Sequence, residues 1–321
     1  MKKIIYLFLT FTLITSFSYS QGKLSSKVYF NYSYNSDTKP TNKFEIHRVY
    51  LTYKNKITKN LSYKFTSDVG RFNTGKDNRL SLYLKNALVA WTTDYGKFVF
   101  GLQGMNMFGL QEHNWGYRFV EKSPMDLHHF ASSADLGLGY YNKFGKKVNF
   151  SFLVTNGTGY KKSETDNYKK YSVQLFYGNS KISKGGYNIG GSFSLEPYKY
   201  GTSTDTTTEN KVVFGGFAAY SNKRFRLGAE YNIFNQSGSQ VTANILSVYG
   251  NVKMNKSFSL FGRVDIFDPN SKTANDGSTY LVAGLNFSNH KSLKIAPNVK
   301  YQNPQTGNSK TVYSVDLQFK F

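Results

Sequence analysis

The sequence predicts an all-β chain, a transmembrane antiparallel barrel of 16 strands, and three observations carry that prediction. Segments of alternating apolar and polar residues recur from about residue 21 to the last residue, with no helical stretch of comparable quality between them. Aromatics make up 17% of the 321 residues, with 26 Tyr and 27 Phe, yet the mean hydropathy is -0.48. Rings of that size need burial, and a barrel in a bilayer supplies it on an outer apolar face while a polar lumen keeps the average hydrophilic. The connections between segments also alternate between short, as at Lys56 to Lys59, and long, as at Asn156 to Tyr168 and Pro197 to Glu209, the pattern of periplasmic turns and outer loops.

Taken in order, residues 1–20 open with Lys2 and Lys3, run through an apolar stretch from Ile4 to about Ile14 and close on Ser18 and Ser20. That is the plan of a signal peptide cut before Gln21, and the apolar stretch is shorter than the roughly 20 residues a spanning helix needs. Residues 21–321 then form one barrel domain, exported to the cell outer membrane. With no Cys in the chain, a disulfide framework, a thiolate metal site and cysteine catalysis are excluded. The formal net charge of +22 points to anionic partners. Nucleic acid does not fit, because the chain is exported and its Lys and Arg are scattered rather than clustered.

The first strand shows Val28, Phe30, Tyr32 and Tyr34 on one parity and Asn31 and Ser33 on the other. Leu61, Tyr63 and Phe65 alternate with Lys64 and Thr66; Phe98, Phe100 and Leu102 follow, then Val148, Phe150, Phe152 and Val154. Tyr171 to Tyr177, Phe225 to Ile233, Phe258 to Ile266 and Val315 to Phe321 repeat the pattern. Spread over 16 strands, the mature chain gives about 19 residues per strand and connection, suited to spanning strands of about 9 to 11 residues. Two stretches resist. In RLSLYLKNALVAWT, Asn86 falls on the parity of Leu82, Leu84 and Leu88, so facing there is open. Pro297 in SLKIAPNVKY lacks an N–H for a closed barrel, which predicts a bulge or an early strand end.

One connection, Met105 to Ser133, is far longer than the rest and carries Phe108, Trp115, Tyr117, Phe119 and Phe130. Its apolar area predicts packing rather than disorder, either into the lumen or as a surface cap, with inward folding preferred. This loop, together with FEIHRVYLTYKNKITKNLSYKFTSDVG, DLGLGYY, FGRVDIFDPN and KIAPNVKYQ, resembles the phosphate-selective porin O and P family. The resemblance implies a sixteen-stranded outer-membrane channel, often a homotrimer, that passes small anions, phosphate among them. In general-diffusion porins the third loop folds inward and narrows the lumen.

The parity opposite the apolar residues places Lys27, Arg48, Lys64, Lys97, Arg226, Arg263, Lys294, Lys300 and Lys320 toward the lumen, against Asp68, Glu230, Asp265 and Asp316. Basic rings in a narrow pore favour anions. The candidate selectivity residues are Arg48, Lys64, Arg226 and Arg263 on the wall and Arg118 and Lys122 on the long loop. The bland alternative is that pairs such as Arg263 with Asp265, or Arg226 with Glu230, are structural. Adjacent His128 and His129 point apart and make a poor metal site, and nothing in the spacing of Glu112, Glu121 and Asp126 selects an acid–base pair. No catalytic residue, metal or cofactor is assigned. The reading is a passive diffusion channel for small hydrophilic, anionic solutes. A plugged barrel serving as a receptor or as a subunit of a complex is the alternative, and a barrel hydrolase ranks last. The chain ends in mid-strand on Phe321, which resembles the signal read by the barrel-assembly machinery. Its partners are outer-membrane lipid, that machinery and small anions.

Overall fold

The computed structural model describes residues 22–36, 39–71, 78–202 and 205–321, so the segment read as a signal peptide lies outside the described residues. Sixteen antiparallel strands close into one barrel. They are β1 (Lys23–Asn35), β2 (Thr41–Lys56), β3 (Leu61–Arg71), β4 (Leu80–Thr93), β5 (Gly96–Gly104), β6 (Ala134–Phe144), β7 (Val148–Thr155) and β8 (Lys170–Gly178). There follow β9 (Gly186–Gly201), β10 (Thr206–Ser221), β11 (Phe225–Gln236), β12 (Val241–Lys253), β13 (Phe258–Asp268), β14 (Ser278–His290), β15 (Leu293–Pro304) and β16 (Lys310–Lys320). Closure is made by β1 on β16, in a register that sets Val28 opposite Phe319 and Tyr32 opposite Val315. Beyond the last strand residue, Phe321 and Ser26 exchange backbone hydrogen bonds of 3.2 and 3.3 Å. The seam therefore reaches the final residue and leaves no edge.

Alternation does what the sequence says it should. On β10, Phe214 and Tyr220 point out to where lipid lies, while Val213, Gly215 and Phe217 are buried inside. On β16, Ser314, Asp316 and Gln318 face in and Tyr313 and Phe319 face out.

Three local readings need correction. Pro297 neither ends its strand early nor sits at the bulge. It pairs with Val315 on β16, while the ladder to β14 passes from Gly284 opposite Asn298 to Phe287 opposite Ile295 and leaves Pro297 out. A side chain at Gly284 would meet the Pro297 carbonyl at 2.5 Å, so glycine is what lets β14 pass close there, and the register shift falls nearer the turn, between Phe287 and His290. The stretch Pro197 to Glu209 reads as a long loop but is mostly strand. Pro197 pairs with Asn210, and only residues 202–205 connect β9 to β10. The Thr and Tyr residues there favour extended backbone, which carries the hairpin onward. Finally, Asn86 breaks parity because β3 and β4 shift register between Thr66 and Ser67, from a partner at Asn86 to one at Leu84. Lys85 is the extra residue, and both it and Asn86 line the lumen.

The long loop between β5 and β6 folds inward and supplies the core. It contains helix α1 (Asn106–Trp115) and a single turn, α2 (Pro124–Leu127). Helix α1 buries polar and apolar residues alike, because the wall it meets is polar. Asn114 and Asn188 exchange amide hydrogen bonds of 2.8 and 2.9 Å, and Asn106 donates to the Ser151 hydroxyl at 3.1 Å. That all-round burial hides the helix from a search for an amphipathic period. It ends at Gly116, which takes a left-handed φ of 78°, and a side chain there would strike the Arg226 guanidinium. After it, Trp115, Tyr117 and Phe119 pack with Tyr29, Tyr249, Phe261 and Val282 of the wall; Met107, Phe108, Met125 and Phe130 pack with Leu153, Val213 and Ile245. The hydrophobic core thus lies inside the barrel, between loop and wall.

Candidate permeation pathway

The loop leaves a cavity of about 710 Å³ along one side of the lumen. Ser25, Ser26 and Lys181 place its mouth at the end of the short connections. Its basic lining is Lys27 from β1, Lys64 from β3, Lys85 from β4, Lys97 from β5, Lys181 and the loop's Arg118, and its one acidic residue is Glu112. Lys64 donates to the Asn86 amide oxygen at 2.8 Å and Lys85 to the Ser133 hydroxyl at 2.7 Å. Lys85 also lies 3.8 Å from the Tyr160 ring centre and Lys97 4.7 Å from that of Tyr141. Among the described residues, no carboxylate pairs with any of these five lysines. Neutral hydroxyls, amides and rings hold Lys64, Lys85 and Lys97 in place without cancelling their charge, so the wall carries net positive potential.

A second cavity, of about 290 Å³, is bounded by His47, Arg48, Glu121, Lys122 and Lys300. Tyr29 and Arg118 line both cavities and so stand between them. Here the charges are spent on each other. Arg118 binds Glu112 at 2.9 Å and Asp126 at 3.1 Å, and Arg48 binds Asp68 at 2.9 Å. Lys300 lies 3.4 Å from Glu121, which also accepts a 2.6 Å hydrogen bond from the Tyr280 hydroxyl.

The six expected selectivity residues separate accordingly. Lys64 faces the open lumen. Arg118 stands between the two cavities, and Lys122 and Arg48 line the smaller one. Arg226 faces inward but does not pair with Glu230; its Nη1 lies 3.4 Å from each of the carbonyls of His113, Asn114 and Trp115, where a cation complements the negative end of α1. Arg263 does not line open space at all. The loop covers it, with a side-chain exposure of 0%, and it is held by Asp265 at 2.8 Å, by the Lys122 carbonyl and over the Trp115 ring. Arg263 is thus paired with Asp265, the arrangement that the structural alternative expects. Lys85 and Lys181, which sequence reasoning missed, belong with Lys64 and Lys97; Lys85 falls on the parity opposite Leu82 and Leu84, but the break at Asn86 left that strand's facing open.

The loop's titratable groups serve its anchoring. Burial works against a charge on Glu121, but Lys300, the Tyr280 hydroxyl, Arg263 and the Lys122 N–H hold its carboxyl down at about 2. A carboxyl whose folded value lies below its ordinary 4.5 stabilises the folded loop fully above that pH and stops doing so as pH falls toward 2. Open-channel current noise is therefore expected to rise as pH drops below about 4, and Glu121→Gln to abolish that rise. Single-channel recording across pH 7 to 3 checks it, and flat noise in the unmutated protein would remove Glu121 as the latch. Burial, opposed by Asp265, pushes the His128 ring down to about 4 against Phe267, so it adds no charge at neutral pH. Glu112 and Asp126 are occupied by Arg118 and Glu121 by Lys300, which leaves no acid–base pair among the three.

The family model for phosphate-selective porin O and P aligns with residues 21–284. The chain belongs to this porin family. It is an outer-membrane channel, a barrel for passage rather than for catalysis. Solved structures share its fold at low identity. The anion-selective porin of Comamonas acidovorans superposes with a TM-score of 0.68 at 13% identity, covering 94% of this chain and 99% of that one. OprB of Pseudomonas putida gives 0.73 at 10% identity, covering 94% of each chain, and the channel DcaP of Acinetobacter baumannii 0.65 at 13%, covering 95% and 99%. Among curated proteins no sequence match is found.

Proposed function

We propose that this porin is a passive diffusion channel preferring small hydrophilic anions, with inorganic phosphate a candidate solute that the family description suggests. The observation that carries the reading is the wall of Lys27, Lys64, Lys85, Lys97 and Lys181 facing open lumen, with Glu112 the only acid lining the cavity among the described residues. An anion entering a narrow lumen loses hydration, and uncancelled ammonium groups offset that loss. The anion-selective structural neighbour fits the same reading. Reversal potential under a salt gradient in planar bilayers tests it: the sign is expected to report anion preference, and a cation-preferring reversal would overturn it. Absence of stepwise conductance would instead favour a plugged barrel, a reading that the close packing of Trp115 against Tyr249 and Phe261 keeps in view.

Residues 1–20 are proposed as the export signal. A three-chain assembly is proposed by analogy with the trimer form of OmpT from Vibrio cholerae. Phe321, exposed on the outer face and tied to Ser26 through the backbone, is proposed as the assembly signal. Deleting it is expected to lower the heat-modifiable, folded fraction in outer membranes several-fold and to leave the unitary conductance of folded channels unchanged. Normal folding of the deletion variant would refute that role.

A further inference from the structure

The charge of the two barrel ends differs in kind. The short connections carry Lys59, Lys146, Lys147, Lys184, Lys223 and Lys256 among other basic residues, and Asp94 is their one acid. The long connections mix signs, as in Lys161, Lys162 and Lys169 beside Glu164 and Asp166. On the outer wall below Lys147 lies an apolar groove of about 450 Å³ between β7 and β10. Gly191 lines its floor, flanked by Leu175, Ile189, Phe193 and Phe214, and Gly216 pairs with Gly191 across the strands at the groove's edge. A side chain at Gly216 would meet nothing within 4 Å. From Val148 to Phe193 the groove runs about four residues along the strands, roughly 13 Å. At its polar end the Lys147 ammonium donates to the Tyr187 hydroxyl at 2.7 Å and stands 4.8 and 5.4 Å from the ring centres of Tyr187 and Tyr177.

We propose that this groove binds one anionic phospholipid, its phosphate at Lys147, Lys146 and the Tyr187 hydroxyl and an acyl chain over the glycine pair. An ordered ammonium beside a phenol at headgroup depth, directly above an apolar trough, matches a ligand with a phosphate at one end and hydrocarbon at the other. A second copy of the chain fits this face poorly, since its basic turns would meet Lys146 and Lys147 at the same depth, and the proposed three-chain assembly would use another face. The site is independent of the lumen and of what passes through it.

Native mass spectrometry of the detergent-solubilised full chain, given equimolar phosphatidylglycerol and phosphatidylcholine, tests the assignment. One phosphatidylglycerol per chain is expected to be retained in preference to phosphatidylcholine. Lys146→Ala with Lys147→Ala is expected to weaken it about fivefold per lysine, and Gly216→Leu to weaken retention of both lipids by filling the trough. Heat-modifiable mobility verifies that each variant folds. Equal retention of the two lipids, or unchanged phosphatidylglycerol binding in the double variant, would overturn the proposal. So would a lipid-free two-chain mass that Gly216→Leu converts to single chains.

Discussion

Replacing Lys64, Lys85 and Lys97 together by Gln is expected to lower the anion-to-cation permeability ratio about tenfold or more, toward one. A lysine about 7 Å from a passing monovalent anion contributes roughly 0.6 kcal/mol in bulk water and about 2.4 kcal/mol at the effective dielectric of a protein surface. Three such groups, uncancelled by carboxylates, therefore dominate the preference for sign. Gln keeps much of the stem and its polar end, so the contacts to Asn86, Ser133 and the Tyr141 ring lose charge more than packing. Reversal potentials belong at about 0.1 M salt, where the Debye length is about 10 Å, because at 1 M it shrinks to about 3 Å and hides the effect. The companion variant Arg118→Gln with Glu112→Gln shifts selectivity less, since it removes a bonded pair and leaves the net charge unchanged. A triple variant as anion-preferring as the parent would place the selectivity elsewhere.

Arg263→Ala is expected to be the most destabilising single change, by about 3 to 5 kcal/mol, because it strands the Asp265 carboxylate in a site with no exposure. It also takes a donor from the Lys122 carbonyl and a cation from the Trp115 ring, so the loop loosens from the wall. Reversible unfolding in urea from lipid vesicles reads the loss, and single-channel records are expected to show larger, noisier conductance. Arg263→Met with Asp265→Asn is expected to restore most of the stability, since it removes both charges together. If Arg263→Ala altered selectivity and left stability intact, Arg263 would be a pore residue after all. The two variants separate the two fates of inward cations in this barrel: free on the lysine wall, or spent on the loop.

Much of the barrel was legible because a spanning strand is a local object. One parity faces lipid and the other does not, so Val28 to Tyr34, Phe225 to Ile233 and Val315 to Phe321 declare their faces without reference to any partner. The even strand count and the alternation of loops follow from the same segments, and so does the seam at Phe321. Where a neighbour intervenes, the reading loses its hold. Lys85 falls on the inward parity, opposite Leu82 and Leu84, but the break at Asn86 left the strand's facing open, and that break is a register shift against β3, a relation between two strands. The α1 helix was missed because its polar face is buried against Asn188 and Ser151 rather than exposed to water.

By itself, then, the sequence determined a sixteen-stranded barrel, its closure at the last residue, and an inner face rich in Lys and Arg. Only the tertiary structure decided which of those cations a solute can meet. Arg263, Arg226 and Lys64 share the inward parity, and the first is buried on Asp265, the second caps α1, and the third is left to the lumen. The reason is physical: facing is set by one strand's own geometry, whereas the free charge of a side chain depends on what the long loop and the neighbouring strands bring within a few ångströms of it.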